Sequence, residues 1–171
     1  MVLVSKHKRI TLERLRELLH YDPETGHWKW VAKRPGVKAG AFAGTVNKVD
    51  GYLRIMIDGH LYLAQVLAWV WMTGEWPTDE VDHKDTDRSN GRWANLRLAT
   101  HQQNQWNAGR RRNNTSGFKG VHWHPQHKKW QARLAFGGKR QNLGLYDCPV
   151  AAHFAVVIAA DRHHGQFARP N

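Results

Sequence analysis

Hydrophobic spacing along this chain switches between helical and strand-like periods, and each switch marks an element. In residues 10–20, ITLERLRELLH, Leu12, Leu15, Leu18 and Leu19 fall on one helical face, with Thr11 before them as a candidate N-cap. The turn signal YDPETG follows at 21–26, and HWKWV then alternates as a strand does. Residues 33–41 are rich in Lys, Pro and Gly, which predicts a loop or short arm. VDGYLRIMIDGHLYLA carries two Asp-Gly turns around an alternating run, the pattern of a β-meander. AQVLAWVWMTGEWP predicts a buried helix stopped by Gly74 and Pro77.

Further along, EVDHKDTDRSNGRWANLRLATHQQNQWN (80–107) reads as strand, turn-rich loop, short strand and helix, with Thr100 a candidate N-cap. The polar segment AGRRRNNTSG (108–117) has the composition of an extended linker. From Phe118 the text predicts three short strands separated by PQHKK and GGK. A helix then starts near Pro149 and stops at Gly165. The expected class is α+β, with no internal repeat. The expected organisation is an N-terminal helix and strand region (1–46), a second unit (47–108), a basic linker (109–117) and a C-terminal unit (118–171).

Composition adds three constraints. The chain has 171 residues, 41% of them hydrophobic, and nine Trp, enough to bury a core in one or two domains. Cys148 is the single cysteine, so neither an intramolecular disulfide nor a Cys-rich zinc site can form. No apolar run reaches membrane-spanning length and the start lacks a secretion signal, so a cytoplasmic protein is expected.

The formal net charge is +12, and its placement matters more than its size. Between Arg88 and Tyr146 lie 59 residues with 12 Lys or Arg and no Asp or Glu, while the remainder is balanced at 14 against 14. Such a tract displaces condensed counterions from nucleic acid. A membrane-surface helix would need these charges on one side of an amphipathic helix, whereas here they alternate with Trp, His and Gly in strand-like text. DNA or RNA is the expected partner, double-stranded DNA where the chemistry below applies, with Arg110, Arg111 and Arg112 in the linker and the 33–41 arm as candidate phosphate contacts.

The chemistry sits at Asp82, His83, Asn95 and Asn104. A carboxylate, an imidazole and two carboxamides suffice to cut a phosphodiester with one hard cation. Histidine titrates nearest working pH, so His83 is the candidate general base. Mg2+, or Mn2+, takes oxygen ligands and keeps several waters, so Asp82 and Asn104 could hold one ion per site with phosphate oxygens completing its shell. Asn95 closes the loop Lys84 to Asn95, where an amide that donates and accepts can bond backbone and steady His83. Adjacent strand residues face opposite sides, so Asp82 and His83 require a bulge or a strand end to share one target. The other histidines lack carboxylate or Cys neighbours at metal spacing, so no structural zinc is expected. His101 could touch phosphate or simply cover a helix surface.

The joint spacing of these four residues closely resembles the ββα-metal motif of HNH endonucleases, in the branch found in phage and intron-encoded homing enzymes. That resemblance implies a metal-dependent DNA endonuclease that leaves 5′-phosphate and 3′-hydroxyl ends. One site per chain implies a nick from a monomer, with a second copy or a phage partner protein as candidate assemblies inside a bacterial host. Gln65 and Val66 stand where related proteins often carry His and Arg. The segments GFKGVHWH, KWQARL, LGLYD and AAHFAVVIAADRHHGQFA resemble an AP2 DNA-binding domain, three antiparallel strands backed by one helix. By that resemblance Lys119, His122 and His124 lie on the DNA-facing side of the first strand, Arg133 on the second, and Arg140 and Asn142 on the third. Lys128 and Lys129, in the turn, would meet phosphate. Trp123 is expected to pack the sheet onto Ala151, Ala155, Ile158 and Ala159, and Trp130 is left open. The rival reading is a DNA-binding or transcription-regulating protein that keeps a degenerate nuclease fold without cutting.

Overall fold

The computed structural model describes residues 10–31, 33, 35–107, 109 and 113–168. The chain divides into two compact units at the His101/Gln102 boundary.

In the first unit, helix α1 (Leu12–Leu18) starts where expected, with the Thr11 hydroxyl accepting from the Arg14 N–H at 3.2 Å. It stops short of the predicted end because Leu19 and Tyr21 are needed elsewhere. Strand β1 (Leu19–Tyr21) buries both and pairs antiparallel with β2 (Trp28–Trp30), whose tryptophans face the same core. The meander follows as β3 (Thr45–Val46), β4 (Leu53–Ile57) and β5 (His60–Leu63). At its tip Asp58 and Gly59 both take positive φ, 47° and 79°, the requirement of a tight hairpin turn that follows the strand twist. Helix α2 (Ala64–Thr73) ends at Gly74, whose left-handed backbone lets its N–H reach the Val70 carbonyl at 2.9 Å. Strands β6 (Glu80–His83) and β7 (Leu96–Ala99) form a separate antiparallel pair. Residues 10–46 share one hydrophobic core with 47–101, in which Leu15, Leu19, Trp28, Ile55, Leu67 and Leu96 are buried together.

Helix α3 (His101–Asn107) opens at the boundary. The second unit is a three-stranded antiparallel sheet in the order β10, β9, β8, formed by β8 (Val121–His124), β9 (Lys129–Phe136) and β10 (Lys139–Tyr146). Helix α4 (Pro149–His164) backs it, with Pro149 at its start and Gly165 at its stop. The core is Val121, Ala132, Leu134, Ala152, Val156 and Ala160. Two expectations need correction. Ile158 is exposed, because its turn of α4 points away from the sheet that Ala152, Val156 and Ala160 face. Trp123 is 47% exposed and meets Trp130 edge-to-face at 5.2 Å instead of sealing under the helix, since β8 is an edge strand. Trp106 of α3 stacks on His164 at 4.0 Å, almost parallel.

Among the described residues, no helix is long and apolar enough to cross a membrane.

Candidate active site

The β6–β7 ladder sets Asp82 opposite Arg97 and His83 opposite Leu96, with no bulge. A strand end takes the bulge's place: β6 finishes at His83, and the next residue, Lys84, closes the loop by donating its N–H to the Asn95 carbonyl at 2.8 Å. Both site residues are withdrawn from solvent, Asp82 at 7% and His83 at 4% exposure. Burial pushes the His83 imidazole below the ordinary histidine pKa, against the pull of the Asp82, Asp85 and Asp87 carboxylates. The Tyr52 ring lies 6.1 Å from that of His83. Burial likewise pushes the Tyr52 phenol up, so it stays protonated.

Asn95 ends a short 3-10 turn, Trp93–Asn95. Its side-chain nitrogen donates to Asp85 Oδ1 and to the Asn90 carbonyl, both at 2.9 Å, and its oxygen accepts from the Asp85 N–H at 3.1 Å. Asn90 Nδ2 also donates to Asp85 Oδ2 at 2.6 Å. Burial raises the Asp85 pKa, but these hydrogen bonds outweigh it and hold the carboxyl below the usual range. The loop is thus cross-linked by one carboxylate and two amides. It is also seated from outside: Tyr21 donates its hydroxyl to the Gly91 carbonyl at 2.6 Å, and the Trp93 N–H reaches the Pro23 carbonyl at 2.9 Å. Arg88 leaves the loop to cover the Tyr52 ring at 4.6 Å and donates to the Asp50 carbonyl at 2.6 Å.

Sequence reasoning missed Asp85, Tyr52, Arg88 and above all Arg97. Arg97 donates from Nε to Asp82 Oδ2 at 3.0 Å, and its Nη2 lies 2.9 Å from the same oxygen, with the arginine side chain only 10% exposed. Only the pairing register could have joined residues 82 and 97. His101 Nδ1 contacts Glu80 Oε1 at 2.8 Å. Gln65 is buried on α2, and Val66 packs against the first core. Asn104 lies on α3 in the second unit, one turn into the helix.

The candidate DNA-facing residues of the second unit are sorted by register. His122 opposes Gln131, His124 opposes Lys129, Asn142 opposes Arg133 and Arg140 opposes Ala135. Directly opposed residues share a face, so His122, His124, Arg133, Arg140 and Asn142 lie together on the side away from Val121, Ala132 and Leu134. Burial, followed by the charges of Arg133 and Arg140, holds His122 below the ordinary histidine pKa. Two residues depart from expectation. Lys119 is not on the strand but in the turn before it, and its ammonium donates to the Trp106 carbonyl at 2.5 Å. Lys129 begins β9 instead of sitting in the turn and pairs with Asp147 at 3.1 Å, whereas Lys128 is in the turn with φ of 49°. Arg110, Arg111 and Arg112 lie outside the described residues.

Comparison with known proteins addresses the same stretch. A family model described as HNH endonuclease matches residues 62–106. Protein 3.8 of Escherichia phage T7 is 34% identical over 104 residues, which cover 58% of this chain and 84% of the phage protein. The chain belongs to the family of that phage protein and carries an HNH endonuclease domain. A solved structure concerned with DNA binding and cleavage by the HNH homing endonuclease I-HmuI aligns at 18% identity and a TM-score of 0.44, covering 94% of this chain and 95% of that one. The HNH match takes in the end of β5, α2, the β6–β7 pair and most of α3, and hence all four residues singled out above.

Proposed function

We propose that this chain is a metal-dependent DNA endonuclease of the HNH type, in which the β8–β10 sheet acts as an AP2-like module for site recognition. One observation carries the reading: a buried imidazole, held below its ordinary pKa, ends a strand directly beside a buried carboxylate inside the HNH match. A histidine that stays neutral at working pH can accept a proton.

The donor chemistry fits a hard divalent cation. No three His, Cys, Asp or Glu side chains gather into a metal cage among the described residues. The ion would be held by few protein groups, the Asp82 carboxylate among them, with phosphate completing the set. When bound, Mg2+ or Mn2+ would neutralise phosphate charge and stabilise the departing oxygen. His83 takes a proton from water as its oxygen bonds to phosphorus. The bond to the 3′ oxygen breaks, giving 5′-phosphate and 3′-hydroxyl ends, and solvent protonates the leaving oxygen. Asn95 and Asp85 keep the loop closed so that His83 holds its position. One such centre per chain nicks, and a double-strand break takes a second copy.

Incubation of supercoiled plasmid with the protein and Mg2+, with and without EDTA, tests this: nicked circles should form only with the metal. His83→Ala should slow nicking by roughly 10²–10⁴. A variant that cuts as fast as the parent removes His83 as the base. A second reading, a DNA-binding protein that keeps the fold without cutting, is favoured by one observation: a guanidinium already engages Asp82. Tight DNA binding with no cleavage under Mg2+ or Mn2+ would establish it.

A further inference from the structure

We propose that Arg97 is a positioning residue that couples metal loading to DNA, neutralising Asp82 in the free protein and yielding it when a divalent cation and a phosphodiester arrive together. This rests on the nuclease reading above and concerns the regulation of that same site.

Strand register makes the pair: Asp82 on β6 directly opposes Arg97 on β7. Both guanidinium contacts, at 3.0 and 2.9 Å, fall on Asp82 Oδ2, and the two side chains are 7% and 10% exposed. A carboxylate so far from water needs a compensating charge. A guanidinium does not deprotonate at any working pH, so that compensation is permanent. A divalent cation approaching Asp82 therefore meets a fixed positive charge in a poorly solvated place, where like charges repel strongly. The free protein takes the ion weakly.

A phosphodiester reverses this balance. It brings a negative charge whose oxygens a planar guanidinium matches well. With phosphate present, Arg97 can turn its guanidinium to the phosphate, which releases Asp82 Oδ2 to the cation. Ion and DNA then assist each other, and linkage requires that each raise the other's affinity by the same factor. The consequence is a nuclease centre that assembles on its substrate and stays unloaded without it. A purely structural ion pair would stabilise the strands and leave this coupling untouched.

Mn2+ titration followed by electron paramagnetic resonance separates the two. It uses the full chain carrying His83→Ala, so that DNA stays intact, with and without a short mixed-sequence duplex. The parent should bind Mn2+ about tenfold tighter, or more, with duplex present. Adding Arg97→Gln should tighten Mn2+ binding to the DNA-free protein and shrink the coupling to about threefold or less. Arg97→Lys, which keeps the charge, should retain the coupling. Unchanged or weaker DNA-free affinity in a folded Arg97→Gln protein overturns the proposal, as does loss of coupling in Arg97→Lys. If Arg97→Gln does not fold, the parent and the Lys variant decide: equal Mn2+ affinity with and without duplex overturns it. A parent that binds no Mn2+ even with duplex removes the metal site of the nuclease reading itself, a separate and recognisable failure.

Discussion

At the scale of single residues, the proposed base, His83, would accept a proton in a place that disfavours its charged form. Burial lowers its pKa, and the nearby carboxylates of Asp82, Asp85 and Asp87 recover part of that loss. The net direction is down, so the neutral base persists below the ordinary value of about 6.5. The rising limb of a single-turnover rate against pH should therefore have its midpoint below about 6.5, and a midpoint at or above that value would contradict the assignment. Stability carries the same signature. The folded pKa lies below the unfolded one, so the contribution is complete above about pH 6.5 and is lost as pH falls through the folded value. His83→Ala should remove that part of the acid sensitivity in denaturant titrations at a series of pH values.

At the scale of elements, the loop from Lys84 to Asn95 behaves as one piece because it is tied at both its mouth and its back. The back rests on the 21–26 turn, where Gly26 has φ of 75° and a β-carbon placed on it would lie 2.3 Å from the Gly91 carbonyl carbon. Gly26→Ala combines a left-handed backbone penalty with a backbone collision that no side-chain movement relieves. It should cost at least about 1–3 kcal/mol in thermal or denaturant unfolding and slow cleavage with it. An alanine variant that melts with the parent would show that this turn does not seat the loop. The same region shows what a single sequence can and cannot disclose. The Asp-Gly hairpin at 58–59, the Gly74 stop and the Pro149 start were legible because each depends on a local backbone requirement. The loop-closing Asn95 was legible because an amide at the end of a turn-rich loop has backbone groups to bond. Arg97, the Tyr21 hydroxyl on Gly91 and the Asp85–Asn95 staple were not, because each joins residues whose proximity exists only after strands pair. The early end of α1 had the same cause, since Leu19 serves the β1–β2 pair and not the helix.

At the scale of the whole molecule, the charge is divided as unevenly as the chemistry. The second unit holds 11 Lys and Arg against two acids, Asp147 and Asp161, while the first holds 15 against 12. Affinity for DNA should therefore come mainly from the second unit, and its sheet face offers two kinds of contact that experiment can tell apart. Lys128, carried in the turn, would neutralise a phosphate. Asn142, set beside Arg133 on the face away from α4, would read a base edge, as an amide does with adenine. Lys128→Ala should weaken binding about equally for all sequences and lower the slope of log affinity against log salt by about one. Asn142→Ala should leave the slope alone and cost about 1–3 kcal/mol on a site selected from random duplexes, with preference lost at one base position. Lys129→Ala should change the slope less than Lys128→Ala, because its ammonium is already shared with Asp147. Fluorescence anisotropy over a salt series measures all three. If none of them moves either slope or preference, this face does not meet DNA, and recognition would have to come from the first unit.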